Sequence, residues 1–74
     1  MKSLTVSSDV AGTVCHVAVK VGETVGPEQD LVVLESMKME IPASAGQAGV
    51  VRRILVEQGD AVKEGQALVV IELS

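Results

Sequence analysis

Apolar residues recur along this chain in short runs, each closed within a few positions by glycine, proline or a charged side chain. Runs at 4–7, 13–19, 24–25, 31–35, 39–43, 50–56, 61–62 and 68–72 are rich in valine and separated by turn residues, so they read as strands. No segment of helical length keeps a 3.6-residue period between caps. The pattern predicts an all-β sandwich or barrel.

The same pattern occurs twice. Displaced by 37 positions, the sequence matches itself without a gap. Gly12 falls on Gly49, Val14 on Val51, Val19 on Val56, Gly22 on Gly59, Val25 on Val62 and Gln29 on Gln66. Leu31-Val32-Val33 falls on Leu68-Val69-Val70, and Glu35 on Glu72. The repeat halves run from about 11 to 35 and from 48 to 72 within one domain, 1–74. Two copies are too few for a solenoid, so a pair closing on itself about a two-fold axis is expected. Glycine marks the reversals, at Gly12 and Gly49 and at Gly22-Glu23 and Gly59-Asp60, with Pro27 and Gly65 in a third turn of each copy.

Within 13–19 the apolar positions are Val14, Val17 and Val19; within 50–56 they are Val51, Ile54 and Val56. A strand with one buried face keeps a period of two. The extra residue in both copies predicts a pair of β-bulges that bend the sheets around one core.

Composition narrows the chemistry. The 74 residues include no aromatic side chain, so aliphatic packing must build the core, which at this size rarely supplies more than about 3–5 kcal/mol. Cys15 is the single cysteine and His16 the single histidine, too few ligands for a zinc site and none to form a disulfide framework. A net charge of −4 with no stacking aromatics argues against nucleic acid as a partner; Arg52-Arg53 reads as a solvated basic patch. No apolar run is long enough to cross a membrane, and no leader with a cleavage site is visible, so a cytoplasmic protein is expected. Cys15 and His16 fall on Arg52 and Arg53, which places them facing solvent. With no base near Ser36, no catalytic residue is assigned.

The exceptional segment lies between the copies, at Glu35-Ser36-Met37-Lys38-Met39-Glu40. Adding 37 to position 38 gives 75, one past the last residue. The turn around Lys38 is therefore the two-fold mate of the gap between the chain ends, and belongs at the opposite pole. A tight reversal here demands positive φ, for which hairpins normally use glycine or asparagine. Glycine is withheld from this turn although seven occur in the chain, so the side chains themselves are expected to matter. Methionine is ordinarily an interior filler. Positive φ is expected at Met37, Lys38 or both, with the lysine amine in solvent. Glu72 in the matching place favours a framework role for Glu35, whereas Glu40, read as lacking a mate, is the better local recognition candidate.

This hexapeptide, centred in a duplicated all-β unit, resembles the attachment site of the biotin carboxyl carrier family of biotinyl/lipoyl attachment domains. There Glu-Ala-Met-Lys-Met surrounds the biotinylated lysine; Ser36 replaces the alanine. The resemblance runs from about 10 to 72. Ser8-Asp9-Val10-Ala11 stands where a Pro-Met-rich lead-in is common, and the gapless repeat leaves no room for the projecting thumb of some members. The resemblance implies a barrel-sandwich hybrid, a flattened eight-stranded barrel of two four-stranded sheets. It implies biotin joined to Lys38 as an amide by a biotin protein ligase, with Met37, Met39, Glu35, Ser36 and Glu40 shaping the hairpin and its recognition. The carrier, itself no enzyme, would shuttle carboxybiotin between biotin carboxylase and carboxyltransferase. Lipoate on the same lysine, in a 2-oxoacid dehydrogenase system, is the alternative, disfavoured by the methionines; a relaxed acceptor would take both. An unmodified adaptor barrel would need a helical hairpin between the halves, where none is inserted.

Overall fold

The computed structural model describes residues 2–73. Its strands are β1 (Ser3–Ser7), β2 (Gly12–Val17), β3 (Thr24–Val25), β4 (Val32–Ser36), β5 (Met39–Ala43), β6 (Gly49–Ile54), β7 (Ala61–Val62) and β8 (Ala67–Leu73). They form two antiparallel four-stranded sheets, ordered β1-β8-β6-β3 and β5-β4-β2-β7, with no helix among the described residues. Each sheet mixes strands from both copies of the repeat, so neither half closes its own core.

The displacement of 37 governs the pairing as well as the sequence. Ser3 stands opposite Glu72 and Leu4 opposite Ile71, while Glu40 stands opposite Glu35 and Ile41 opposite Leu34. The β1–β8 ladder is thus the mate of the β4–β5 hairpin. The core follows the same rule. Val14 and Val51, Val19 and Val56, Val25 and Val62, Leu31 and Leu68, Val32 and Val69, and Leu34 and Ile71 are all buried, with Val6 beside them. Small branched side chains repeated in this way interdigitate around the axis, and apolar burial of about 25 cal/mol per Å² drives the closure.

Both expected bulges are present. The β2–β4 register slips between Val14 and His16, and the β6–β8 register between Val51 and Arg53, leaving Cys15 and Arg52 as the extra residues. The chain leaves the ladder sooner than the apolar pattern implies. β2 and β6 end at Val17 and Ile54, and Val19 and Val56 enter the core from irregular backbone. One bond continues each sheet past that point, from the Ala18 N–H to the Leu31 carbonyl (2.9 Å) and from the Leu55 N–H to the Leu68 carbonyl (2.8 Å). Val17, expected inside, is only half-buried, because the bulge has turned the strand at that point.

Two of the chain's carboxylates are built into turns. Glu23 Oε1 accepts the Lys20 N–H (3.1 Å), and in the other copy Asp60 Oδ2 accepts the Glu57 N–H (2.8 Å). Gln29 and Gln66 repeat the device, accepting the N–H groups of Gly26 (3.2 Å) and Lys63 (3.0 Å). These side chains satisfy backbone donors that the reversals free from the ladders. Gly22 and Gly59 supply the left-handed residue beside the carboxylates, at φ 92° and 93°.

The hairpin of β4 and β5 occupies one end of a body measuring 36 × 18 × 17 Å. β2 begins opposite Glu35 and leads away from that hairpin. Beyond its far end the Gly22 N–H donates to the Val51 carbonyl (2.7 Å). Val51 faces Ile71, two residues short of Leu73, whose N–H donates to the Lys2 carbonyl (2.9 Å). The paired chain ends and the turn at Lys38 therefore lie at opposite poles, as the repeat arithmetic requires.

Candidate functional site

β4 and β5 are joined through Met37 and Lys38, with Ser36 facing Met39 across the ladder. The φ angles of Met37 and Lys38 are 53° and 65°, and no other non-glycine residue among those described has positive φ. Two successive left-handed residues make a primed two-residue turn, whose twist matches that of the flanking strands. Without glycine the geometry costs on the order of 1–3 kcal/mol per residue, a strain that gathers at functional positions. The ladder from Val32–Ala43 to Ser36–Met39 holds the turn in place.

The side chains at this apex do nothing for the core. Met37 is 92% exposed and Met39 62%. Burying a methionine contributes about 1.5–3 kcal/mol, so leaving two in water forgoes a stabilisation this small domain could use. Lys38 is exposed and has neither an ion pair nor a hydrogen bond from its side chain among the described residues. A free primary amine is thus held on a stiff backbone corner, at the end of a flexible arm, between two thioethers. That is the chemistry an acylating enzyme needs, namely a reachable nucleophile on a shape it can recognise.

Glu35 and Glu40 stand directly opposite each other just below the apex, both exposed. Like charges so placed destabilise a ladder by a few tenths of a kcal/mol or more. The structure amends two sequence expectations here. Glu40 does have a mate, Ser3, which faces Glu72 as Glu40 faces Glu35. The framework reading of Glu35 holds for its backbone only. Its carbonyl packs against Gly12, as that of Glu72 packs against Gly49. The two carboxylates differ: Glu72 receives Arg52 Nη1 at 2.6 Å, whereas the mate of Arg52 is Cys15, which leaves Glu35 with no ion pair among the described residues.

Cys15 is half-buried rather than open to solvent, while His16 beside it is exposed. Loss of hydration, and then the charges of Glu35 and Glu40, push the Cys15 thiol above its ordinary value. The thiolate is the reactive form, so this sulfur is a poor nucleophile at neutral pH. Iodoacetamide should accordingly alkylate Cys15 with a pH–rate midpoint above that of an unfolded control. Combining Glu35→Gln with Glu40→Gln should lower that midpoint only in part, because hydration is the larger cause. A profile unmoved by the double variant would show that neither carboxylate reaches the thiol. The proximity of Cys15 to the hairpin was not visible in the apolar pattern; the three-then-two spacing that reveals the bulge was the available signal. No group of three or more His, Cys, Asp or Glu stands together as a metal site among the described residues, and no helix there is long and apolar enough to cross a membrane.

Comparison with known proteins adds an independent line. Residues 1–71 match the biotin/lipoyl family, described as biotin-requiring enzyme. The chain is 45% identical over 47 residues to a biotin/lipoyl attachment protein of Bacillus subtilis, an alignment covering 64% of each chain. It is 47% identical over 45 residues to a biotin carboxyl carrier protein of Streptococcus mutans, covering 61% of this chain and 35% of that one. The matches thus span just under two thirds of the first relative and about a third of the second. Among solved structures, urea carboxylase of Kluyveromyces lactis superimposes with a TM-score of 0.92 at 28% identity, over 97% of this chain and 6% of that one. The lipoyl domain of the 2-oxoglutarate dehydrogenase complex of Azotobacter vinelandii gives 0.71 at 30% identity, over 88% of this chain and 84% of the other.

Proposed function

The chain belongs to the biotin/lipoyl family of biotin-requiring enzymes, and from that premise we propose that it is a non-catalytic biotin carrier, with the cofactor joined to the Lys38 amine. The observation that carries the reading is the apex itself, a solvent-facing lysine at positive φ between two exposed methionines. A ligase would form an amide between the carboxylate of biotin and Nζ of Lys38. Bound biotin supplies a ureido nitrogen that accepts and gives up a carboxyl group. The chain supplies attachment, a stiff corner that sets the arm's origin, and a high effective concentration of the arm at both partner sites. Biotin carboxylase and carboxyltransferase components are the partners this reading implies, and the cytoplasm is its compartment. Acylation removes one cation, taking the formal charge from −4 to −5.

A lipoyl carrier is the second reading, favoured by the fit to the lipoyl domain. The carboxylase superposition and the exposed methionines support biotin over it. The test offers the unmodified protein to a biotin protein ligase with ATP and biotin, and in parallel to a lipoate ligase, with the products mapped by peptide mass spectrometry. Biotin on Lys38 at the faster rate is expected. Faster lipoylation, or modification of Lys2, Lys20 or Lys63, would contradict the reading. Replacing Met37 by Asp together with Met39 by Ala should slow biotinylation at least about tenfold, the effect of roughly 1.4 kcal/mol in transition-state recognition. An unchanged rate would show that the ligase reads the position of the turn alone.

A further inference from the structure

The two poles share one backbone but carry opposite charge. On the outer face of the β1-β8-β6 sheet, Lys2, Ser3, Arg52, Arg53, Val70 and Glu72 line a shallow depression of about 310 Å³. Under the displacement of 37, these positions become Met39, Glu40, Cys15, His16, Val33 and Glu35. The depression gathers three of the chain's six cations against one carboxylate; its mate near Lys38 carries two carboxylates and none of those cations. In a chain of net charge −4, such a concentration is not a diluted average of the surface. The bulge is what creates it, because the extra residue Arg52 and its neighbour Arg53 are both exposed there. Arg52 is engaged by Glu72, leaving the Lys2 and Arg53 side chains with no partner among the described residues.

From this broken symmetry we infer that the depression at the pole opposite Lys38 is a docking site for an acidic peptide segment of a partner protein. Small-molecule sites are concave and largely apolar, burying most of their ligand. This surface is open and lined by charged and polar groups, with Val70 its single apolar side chain. It suits carboxylates spaced along an extended chain, which Arg53 can grip bidentately. The acidic end of a second copy is the other complement within reach. Ends only 18 × 17 Å across bury too little for that pairing, since stable interfaces bury about 1,200–2,000 Å². Docking here would hold the carrier by its far pole and leave the whole arm on Lys38 free to move.

The experiment titrates the full chain with a fluorescently labelled polyglutamate peptide at low salt, followed by anisotropy and by amide chemical-shift mapping. Binding should centre on Lys2, Arg53 and Val70, weaken as salt rises, and fall roughly tenfold in Arg53→Glu and separately in Lys2→Glu. Arg53 is exposed and makes no ion pair among the described residues, so its variant should fold and should still be acylated at Lys38 at the native rate. Combining Glu35→Gln with Glu40→Gln should leave peptide binding unchanged. Four results would overturn the inference: no peptide binding, binding indifferent to both charge reversals, inorganic phosphate displacing the peptide at equal concentration, or self-association that either Arg53→Glu or the Glu35/Glu40 pair of variants abolishes.

Discussion

Replacing Lys38 by arginine should abolish acylation entirely while leaving the unfolding midpoint close to that of the native chain. Arginine keeps the positive charge and most of the arm's length, but its guanidinium stays protonated and offers no free amine to acylate. The side chain is exposed and makes no hydrogen bond or ion pair among the described residues, so the fold loses no polar contact with it. Surface changes of this kind stay within about 0.5 kcal/mol. Incubation with ligase, ATP and biotin, followed by intact-mass measurement, checks the first part, and a urea titration the second. Biotin retained by the variant would move the attachment point elsewhere. A large loss of stability would mean that Lys38 serves the fold. Met37→Gly makes the complementary change: it should relieve strain at φ 53° and hold or raise stability while slowing modification.

The largest effect on the fold is expected at Gly49. A Cβ there would stand far inside contact distance of the Glu72 carbonyl oxygen and 2.5 Å from Ile71 Cγ2. Backbone cannot swing aside, and Ile71 is a fully buried member of the core. Gly49→Ala should therefore cost at least the upper end of the ~1–3 kcal/mol typical of overpacking. Against a total of about 3–5 kcal/mol, this leaves much of the population unfolded at 25 °C. Gly12→Ala meets the Glu35 carbonyl in the same way but only the Ser36 Cβ beyond it, at an ordinary 3.4 Å, and should cost less. Gly26 provides the control. A Cβ there meets nothing within 4 Å and its φ is not positive, so alanine should stabilise by about 0.4–1 kcal/mol through the unfolded chain. Urea titrations of the three variants test the order; Gly49→Ala matching Gly26→Ala would contradict it.

Gly12 and Gly49 show what a sequence conveys and what it withholds. Their recurrence at a fixed displacement was visible, and it located the strand starts. The reason, two mated carbonyls lying where a side chain would go, depends on how strands meet in space. The bulges were legible because a slip in period leaves a trace in the valines. The ends of β2 and β6 were not, because Val19 and Val56 remain buried after the ladder stops, and apolar spacing reports burial rather than hydrogen bonding. The Lys38 turn was legible through an absence, the missing glycine, together with two methionines that no core could use. The facing carboxylates of Glu35 and Glu40, and Cys15 beside them, were hidden because cross-strand pairing is set by register, not by distance along the chain. The charge contrast between the poles was hidden for the same reason. Arg52-Arg53 is an ordinary basic pair until Lys2 is folded beside it.

The measurement closest to the central claim is the intact mass of the protein isolated from its own cells, with the modified peptide sequenced by fragmentation. A mass increase of one biotinyl group, placed on the lysine between Met37 and Met39, is the predicted result. A lipoyl group at that lysine, an adduct on any other residue, or an unmodified chain from cells replete in biotin would contradict it.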